Sequence, residues 1–251
     1  MLNHPTHDTL NQLRLYGMAH ALAEQAQHPD LAALTFEERL GLLLDRERAE
    51  RQNRLVSSRL RQARLKQSAV AEDIDYRHPR GLDKALFRRL LAGEWVAAHQ
   101  NILITGPTGV GKTYLACALA NAACRQGHTA LYLRLPRLFE EAAIARGDGR
   151  YPKLMASLAK VEILILDDWG LALLDDERRR DLLEIMDERY LTRSTVITSQ
   201  LSVAHWHDSL GDPTLADAIL DRVVHHAHQL NLAGDSLRKL KPKLTQESQQ
   251  E

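Results

Sequence analysis

The residues Gly106-Pro107-Thr108-Gly109-Val110-Gly111-Lys112-Thr113, followed by Tyr114, lie between the apolar run Asn101–Thr105 and the helix-forming segment YLACALANAAC. Gly106, Gly109 and Gly111 let the backbone turn tightly enough for successive amides to point inward at phosphate oxygens. A helix that starts there adds its positive end. Strand, glycine loop, Lys-Thr pair and helix together complete the Walker A pattern, the phosphate-binding P-loop. The pattern predicts that Gly106 to Tyr114 bind ATP, with Lys112 on the β- and γ-phosphates and Thr113 as a ligand of Mg2+. A glycine-rich turn of no special purpose is the competing reading, and the coincidence of all four features argues against it.

A second apolar run, Val161-Glu-Ile-Leu-Ile-Leu, ends in Asp167 and Asp168 before Trp169-Gly170. Strand alternation points neighbouring carboxylates in different directions, so the pair can divide its work. Asp167 is expected to hold Mg2+ through its water shell, and Asp168 to orient the attacking water or accept its proton. The bland alternative is an acidic turn closing a strand. Trp169 reads as packing. The run Thr195-Val-Ile-Thr-Ser-Gln200 also ends in polar residues, at the strand edge where parallel sheets bind ligands, and Gln200 could hydrogen-bond the attacking water or the γ-phosphate. Further on, ADAILDRVVH reads as an amphipathic helix with Ala218, Ile219 and Val223 inward and Arg222 near its exposed end. The Arg222 guanidinium could neutralise charge on a neighbour's γ-phosphate, or it could equally form a surface ion pair with Asp217 or Asp221.

Holding these groups together takes a parallel sheet. Apolar runs at 101–105, 129–133, 161–166 and 195–198, with a fifth near 228–232, alternate with helical stretches, which predicts an α/β fold with helices on both faces. Before the sheet, residues 83 to about 99 read as a helix with Leu86, Leu90 and Leu91 inward. The segment from Leu10 to about Leu65 is helix-forming throughout, and Thr35-Phe36-Glu37-Glu38 matches a capping box that would start a long helix. The polar, acidic stretch QSAVAEDIDYRHPR at 67–80 reads as a linker, because His78 before Pro79 is biased away from helix. These boundaries give an all-helical N-terminal domain at 1–78, a P-loop domain at 79–244 and a disordered tail at 245–251.

Composition narrows the remaining classes. With 44% apolar residues the chain can bury one large core and carry a smaller unit. Lys+Arg and Asp+Glu both number 33, so affinity for nucleic acid has to come from local patches. Cys117 and Cys124 fall on one helix face as reduced core thiols, which excludes a disulfide framework. No signal-peptide pattern and no membrane-length apolar run is present, so a cytoplasmic protein with no membrane partner is expected. His225, His226 and His228, and His205 with His207, lack a cysteine or carboxylate at ligand spacing, so no metal site is expected there.

The order GPTGVGKT, LILDDWG, VITSQLSVAHWHDSLGDPTLADAILDRVVHHA and LNLAGDSLRK resembles the IstB family of AAA+ transposition helper ATPases, and more distantly the DnaC-type helicase loaders. The resemblance spans nearly the whole chain. It includes LRLYGMAHAL and LTFEERLGLLLDRE near the N-terminus, which P-loop ATPases in general do not share. It implies an Mg2+-dependent ATPase that forms homo-oligomers with ATP sites between subunits and assists a cognate transposase on duplex DNA in bacterial insertion-sequence transposition. Residue by residue it implies Lys112 and Thr113 as the Walker A pair, and Asp167 and Asp168 as the Walker B pair. Gln200 takes the sensor-I position, Arg222 that of the arginine finger, and Arg238 that of an ATP-contacting sensor-II arginine. Asp168 stands where many AAA+ enzymes carry Glu, and the shorter arm implies slow hydrolysis. The span after Arg238 is too short for the full helical lid of larger relatives.

Arg137, Arg146, Arg150 and Lys153 follow the second predicted strand, in a neighbourhood that faces nucleic acid in related initiator-type ATPases. Few aromatics interleave them, so phosphate contacts, nonspecific and salt-sensitive, are the expected mode of DNA binding. A solvated loop is the alternative. The arginine-rich stretch 46–66 is a second candidate, for DNA or for a neighbouring subunit. A helicase loader sharing the same ATPase core is the alternative function. A metabolite kinase would need an acceptor pocket and a lid from its own chain, and neither is evident.

Overall fold

In a computed structural model, residues 5–237 are described; Arg238 and the tail 245–251 lie outside them. Packing divides the chain between Ser58 and Arg59 into two compact units.

The first unit is built from α1 (Pro5–Gln12), α2 (Tyr16–Gln27) and most of α3 (Phe36–Ala63). The predicted capping box starts α3. The Thr35 amide donates to Glu38 Oε2 at 2.8 Å and the Glu38 amide donates to Thr35 Oγ1 at 3.3 Å. The start of α2 has no side-chain cap of its own. Glu47 on α3 supplies one, accepting from the amides of Gly17 at 2.8 Å and Met18 at 3.3 Å. The two helices approach so closely that a Cβ on Gly17 would lie 2.6 Å from the Glu47 Cα. Burial works against the charge on Glu47, but Arg51 and the two amides outweigh it and hold its pKa below the ordinary carboxylate value.

The expected boundary at residue 78 is corrected by the packing. Ala63, Ala69 and Ile74 are buried in the same core as Phe87, Trp95 and Leu115, so the stretch read as a linker belongs to the second unit. Its polar composition concealed apolar residues spaced to pack without helical periodicity.

The second unit continues with α4 (Lys84–Leu91), α5 (Glu94–Ala97), β1 (Asn101–Thr105), α6 (Lys112–Gln126), β2 (Ala130–Arg134), α7 (Leu135–Gly147) and α8 (Tyr151–Lys160). It closes with β3 (Ile163–Trp169), α9 (Asp176–Arg189), β4 (Ser194–Ser199), α10 (Trp206–Leu210), α11 (Pro213–Val224) and β5 (Ala227–Asn231). The single helix expected over 83–99 is two. Asp83 caps α4 as its sequence suggests, but Gly93 at φ 89° takes the left-handed turn that ends it.

All five strands pair in parallel, in the order β2-β3-β4-β1-β5. The continuous apolar runs are explained by burial on both faces. Ile102, Ile104, Ile165 and Val196 pack with Leu115 and Leu119 of α6. Leu103, Leu164, Leu166 and Ile197 pack on the other side with Leu138, Leu182 and Ile219. Cys117 and Cys124 are free and buried in α6. Asn101 fixes the start of β1 by donating to the carbonyls of Arg222 and Val223 at 3.2 and 3.1 Å and accepting from the Thr195 amide at 2.9 Å. Among the described residues no helix is long and apolar enough to cross a membrane.

Candidate active site

The loop after β1 bends as its glycines require. Gly106 sits at φ 143°, and a Cβ there would be 2.3 Å from the Leu232 carbonyl oxygen. Gly111 sits at φ 97°, where a Cβ would be 2.6 Å from Arg80 Nη1. Gly111 offers no side chain to cap α6, so the first amides of that helix are left for an anion. The Lys112 ammonium arches over the loop and donates to the carbonyls of Gly106 at 2.6 Å and Pro107 at 2.8 Å. Thr108 Oγ1 donates to Gln200 Oε1 at 2.7 Å, which joins the loop to the end of β4.

Asp167 is 1% exposed and its carboxylate is ringed by donors. Thr113 Oγ1 at 2.8 Å and Thr198 Oγ1 bond Oδ1, while Tyr132 Oη at 2.5 Å and Lys66 Nζ at 3.4 Å approach Oδ2. Burial alone would raise its pKa, but the three hydroxyls and the ammonium together lower it, so the group is held ionised. The Tyr132 hydroxyl is correspondingly pushed up, first by burial and then by Asp167. A hard carboxylate beside a threonine hydroxyl suits Mg2+, which takes oxygen ligands and keeps several of its waters.

The two carboxylates do diverge, though plain strand alternation is not the cause. The β3–β4 register is interrupted between Leu166 and Trp169, and Asp168 takes φ 69°, a left-handed conformation that Asp tolerates better than most residues. Asp168 points to the cleft edge, where Arg134 Nε contacts its Oδ2 at 2.6 Å. Trp169 is buried with its ring centroid 5.0 Å from that of Trp206, a packing role as expected.

One cleft of about 640 Å³ brings together Thr108, Gly109, Gly111, Lys112, Thr113, Tyr114, Asp167, Asp168 and Gln200. Sequence reasoning missed its other wall, formed by Lys66, Gln67, Ser68, Asp73, Asp75 and Arg80, with Leu237 beside it. Arg80 is 3% exposed and donates to the carbonyls of Val110 at 3.2 Å and Asp75 at 3.1 Å, so it clamps this wall to the phosphate loop. Its pKa is lowered by burial, an effect that Asp75 opposes. The Cys117 thiol is buried, and burial raises its pKa. A charged residue next to a Pro-Gly turn was the one available signal for Arg80. Tyr132, a hydroxyl-bearing residue between Leu131 and Leu133 in β2, was the signal for itself.

Arg222 is not in this cleft. It lies with His99, Asn101, Arg189 and Tyr190 at the opposite end of the sheet, beyond the length of β1, which at ~3.3 Å per residue separates the two ends by more than a side chain can reach. Its partners are Asp187 on α9 and the Ala218 carbonyl, rather than Asp217 or Asp221. Those two carboxylates pair with His207 at 3.3 Å and His225 at 3.1 Å.

The basic segment after β2 divides. Arg146 is tied to Asp181 and Glu177 and stacks on the Tyr151 ring at 4.1 Å, so it braces α7 against α9. Arg150 folds back on Asp148 at 2.5 Å. Arg137 and Lys153 are exposed and form no ion pair among the described residues. In the arginine-rich stretch, Arg46 pairs with Glu24 at 3.7 Å, and Arg51 and Arg54 pair with Glu47 at 2.6 and 3.6 Å.

The family model described as IstB-like ATP binding protein matches residues 8–245. A Sinorhizobium fredii protein named as an insertion sequence ATP-binding protein is 54% identical over 239 residues, covering 95% of this chain and 98% of its own. A Pseudomonas aeruginosa protein similarly named is 32% identical over 229 residues, 91% and 86% of the two chains. Among solved structures, DnaI superposes with a TM-score of 0.58 at 24% identity over 70% of this chain and 93% of that one. The replication initiator DnaA superposes at 0.56 with 17% identity over 68% and 52%. At such identities the likeness is one of fold.

Proposed function

The chain belongs to the IstB-like ATP binding protein family, and we propose that it is an Mg2+-dependent ATPase that oligomerises on duplex DNA and assists a partner transposase in target selection during insertion-sequence transposition. The relatives' names, which tie them to insertion sequences and ATP, support the setting. The observation that carries the mechanism is the separation of Arg222 from Lys112 by the length of the sheet. An arginine so placed can meet a γ-phosphate only if the phosphate is held by another copy of the chain.

Within one cleft the loop amides and Lys112 bind the β- and γ-phosphates, and Thr113 and Asp167 hold Mg2+. Held by these two residues, Mg2+ would supply Lewis-acid stabilisation of the negative charge that develops on the phosphates. Asp168 orients the attacking water and takes its proton, with Gln200 as the second polar group on that water. The ion pair to Arg134 competes for Asp168, which together with its short arm keeps hydrolysis slow until assembly or a partner shifts the arginine. Head-to-tail contacts of this kind repeat into a ring or a spiral in the cytoplasm, and Arg137 and Lys153 then follow the DNA phosphates from subunit to subunit. The helicase-loader reading keeps only a likeness of fold.

Assembly is therefore expected to follow the γ-phosphate. Sedimentation with duplex DNA should give large species with a slowly hydrolysed ATP analogue and far smaller ones with ADP. Equal assembly with both nucleotides would contradict a site shared through Arg222.

A further inference from the structure

Of the cleft-lining cations among the described residues, Lys112 belongs to the phosphate loop and Arg80 clamps the wall to it, which leaves Lys66, and its position is specific. Its ammonium stands 3.4 Å from Oδ2 of Asp167, on the side of the carboxylate that Tyr132 also touches, while Thr113 and Thr198 occupy Oδ1. The side chain is 40% exposed and the carboxylate it pairs with only 1%. Of the four donors around Asp167, Lys66 makes the longest contact and has the longest flexible stem. It is the donor that can leave at least cost.

Resting on the reading of the cleft as an Mg2+-ATP site, we infer that Lys66 is a stand-in cation: it neutralises Asp167 when no divalent ion is there and gives up the carboxylate when one arrives. Electrostatics supplies the reason. Asp167 lies buried at the wall of a cleft that must accept a polyphosphate, and a bare carboxylate charge there would repel it. The Lys112 ammonium is engaged on the carbonyls of Gly106 and Pro107 in the phosphate loop. Lys66, facing both Asp167 and the open cleft, screens one charge from the other. A divalent ion performs the same screening more strongly and releases it. Lys66 is a positioning and affinity residue for nucleotide in this account, with no part in the proton transfer.

The readout is the ratio of ATP affinity with Mg2+ to ATP affinity in excess EDTA, measured by calorimetry for wild type, Lys66→Gln and Lys66→Arg. Lys66→Gln should weaken binding in EDTA roughly fivefold, the upper range for a part-exposed ion pair, while leaving the Mg2+ value almost unchanged, so the ratio rises. Lys66→Arg keeps the charge and should keep the wild-type ratio. A structural role alone would weaken both arms together; an unchanged ratio in Lys66→Gln therefore overturns the inference, as would an arginine variant that behaves like the glutamine one. Absence of ATP binding by the wild type in both arms would overturn the nucleotide reading itself.

Discussion

The two ends of the parallel sheet differ in kind. At the C-terminal ends of β1, β3 and β4, a loop, two carboxylates, two lysines and a set of hydroxyls converge on one cleft. At the N-terminal end of β1 stands Arg222, paired with Asp187 and anchored through its own backbone to Asn101. On the proposed function, the first end binds Mg2+-ATP, and the second holds a charge suited to a γ-phosphate that this copy cannot present to it. On that proposal, the division assigns binding to the single chain and fast turnover to the assembly.

That contrast can be broken first at the cleft. Lys112→Ala should abolish measurable ATP binding in calorimetry, because the β/γ charge loses its dedicated ammonium. Asp168→Asn should retain ATP and Mg2+ and slow single-turnover hydrolysis by about 10²-fold or more, the ordinary worth of a positioned base. A full-rate Asp168→Asn enzyme would remove the base from the account.

A smaller effect is expected on DNA. Charge reversal at Arg137 and Lys153 should lower duplex affinity and flatten its salt dependence by roughly one unit of log slope per lost phosphate contact. ATP binding should be unaffected. Arg146→Glu is a poor probe, since it breaks the contacts to Asp181 and Tyr151 that hold α7 on α9. An unaltered salt slope in the Arg137/Lys153 double variant would move the DNA path to another surface.

What was legible in the sequence follows from where each feature gets its information. The phosphate loop is dictated by local backbone need, so Gly106, Gly109 and Gly111 announce it, and the strands announce themselves by runs buried on both faces. Asp167 could be read because it ends such a run. Arg80 and Lys66 could not, because their roles come from tertiary contacts with Val110 and Asp167 that no periodicity encodes. The same holds for Ala69 and Ile74, two buried apolar residues in a stretch whose average composition is that of a linker. Arg222 was legible as a candidate, but its partner was not, since Asp187 is 35 residues away on another helix.

The central claim, a site completed by a second copy, is tested most directly by mixing two inactive variants. Arg222→Ala subunits retain an intact cleft and lack the finger, while Lys112→Ala subunits retain the finger and lack the cleft. Each alone should hydrolyse ATP at a small fraction of the wild-type rate, with the finger worth about 10³-fold or more. The mixture should recover activity well above either variant, peaking at intermediate ratios where unlike neighbours are most frequent. No recovery at any ratio, with both variants folded and shown to co-assemble, would contradict an arginine supplied in trans.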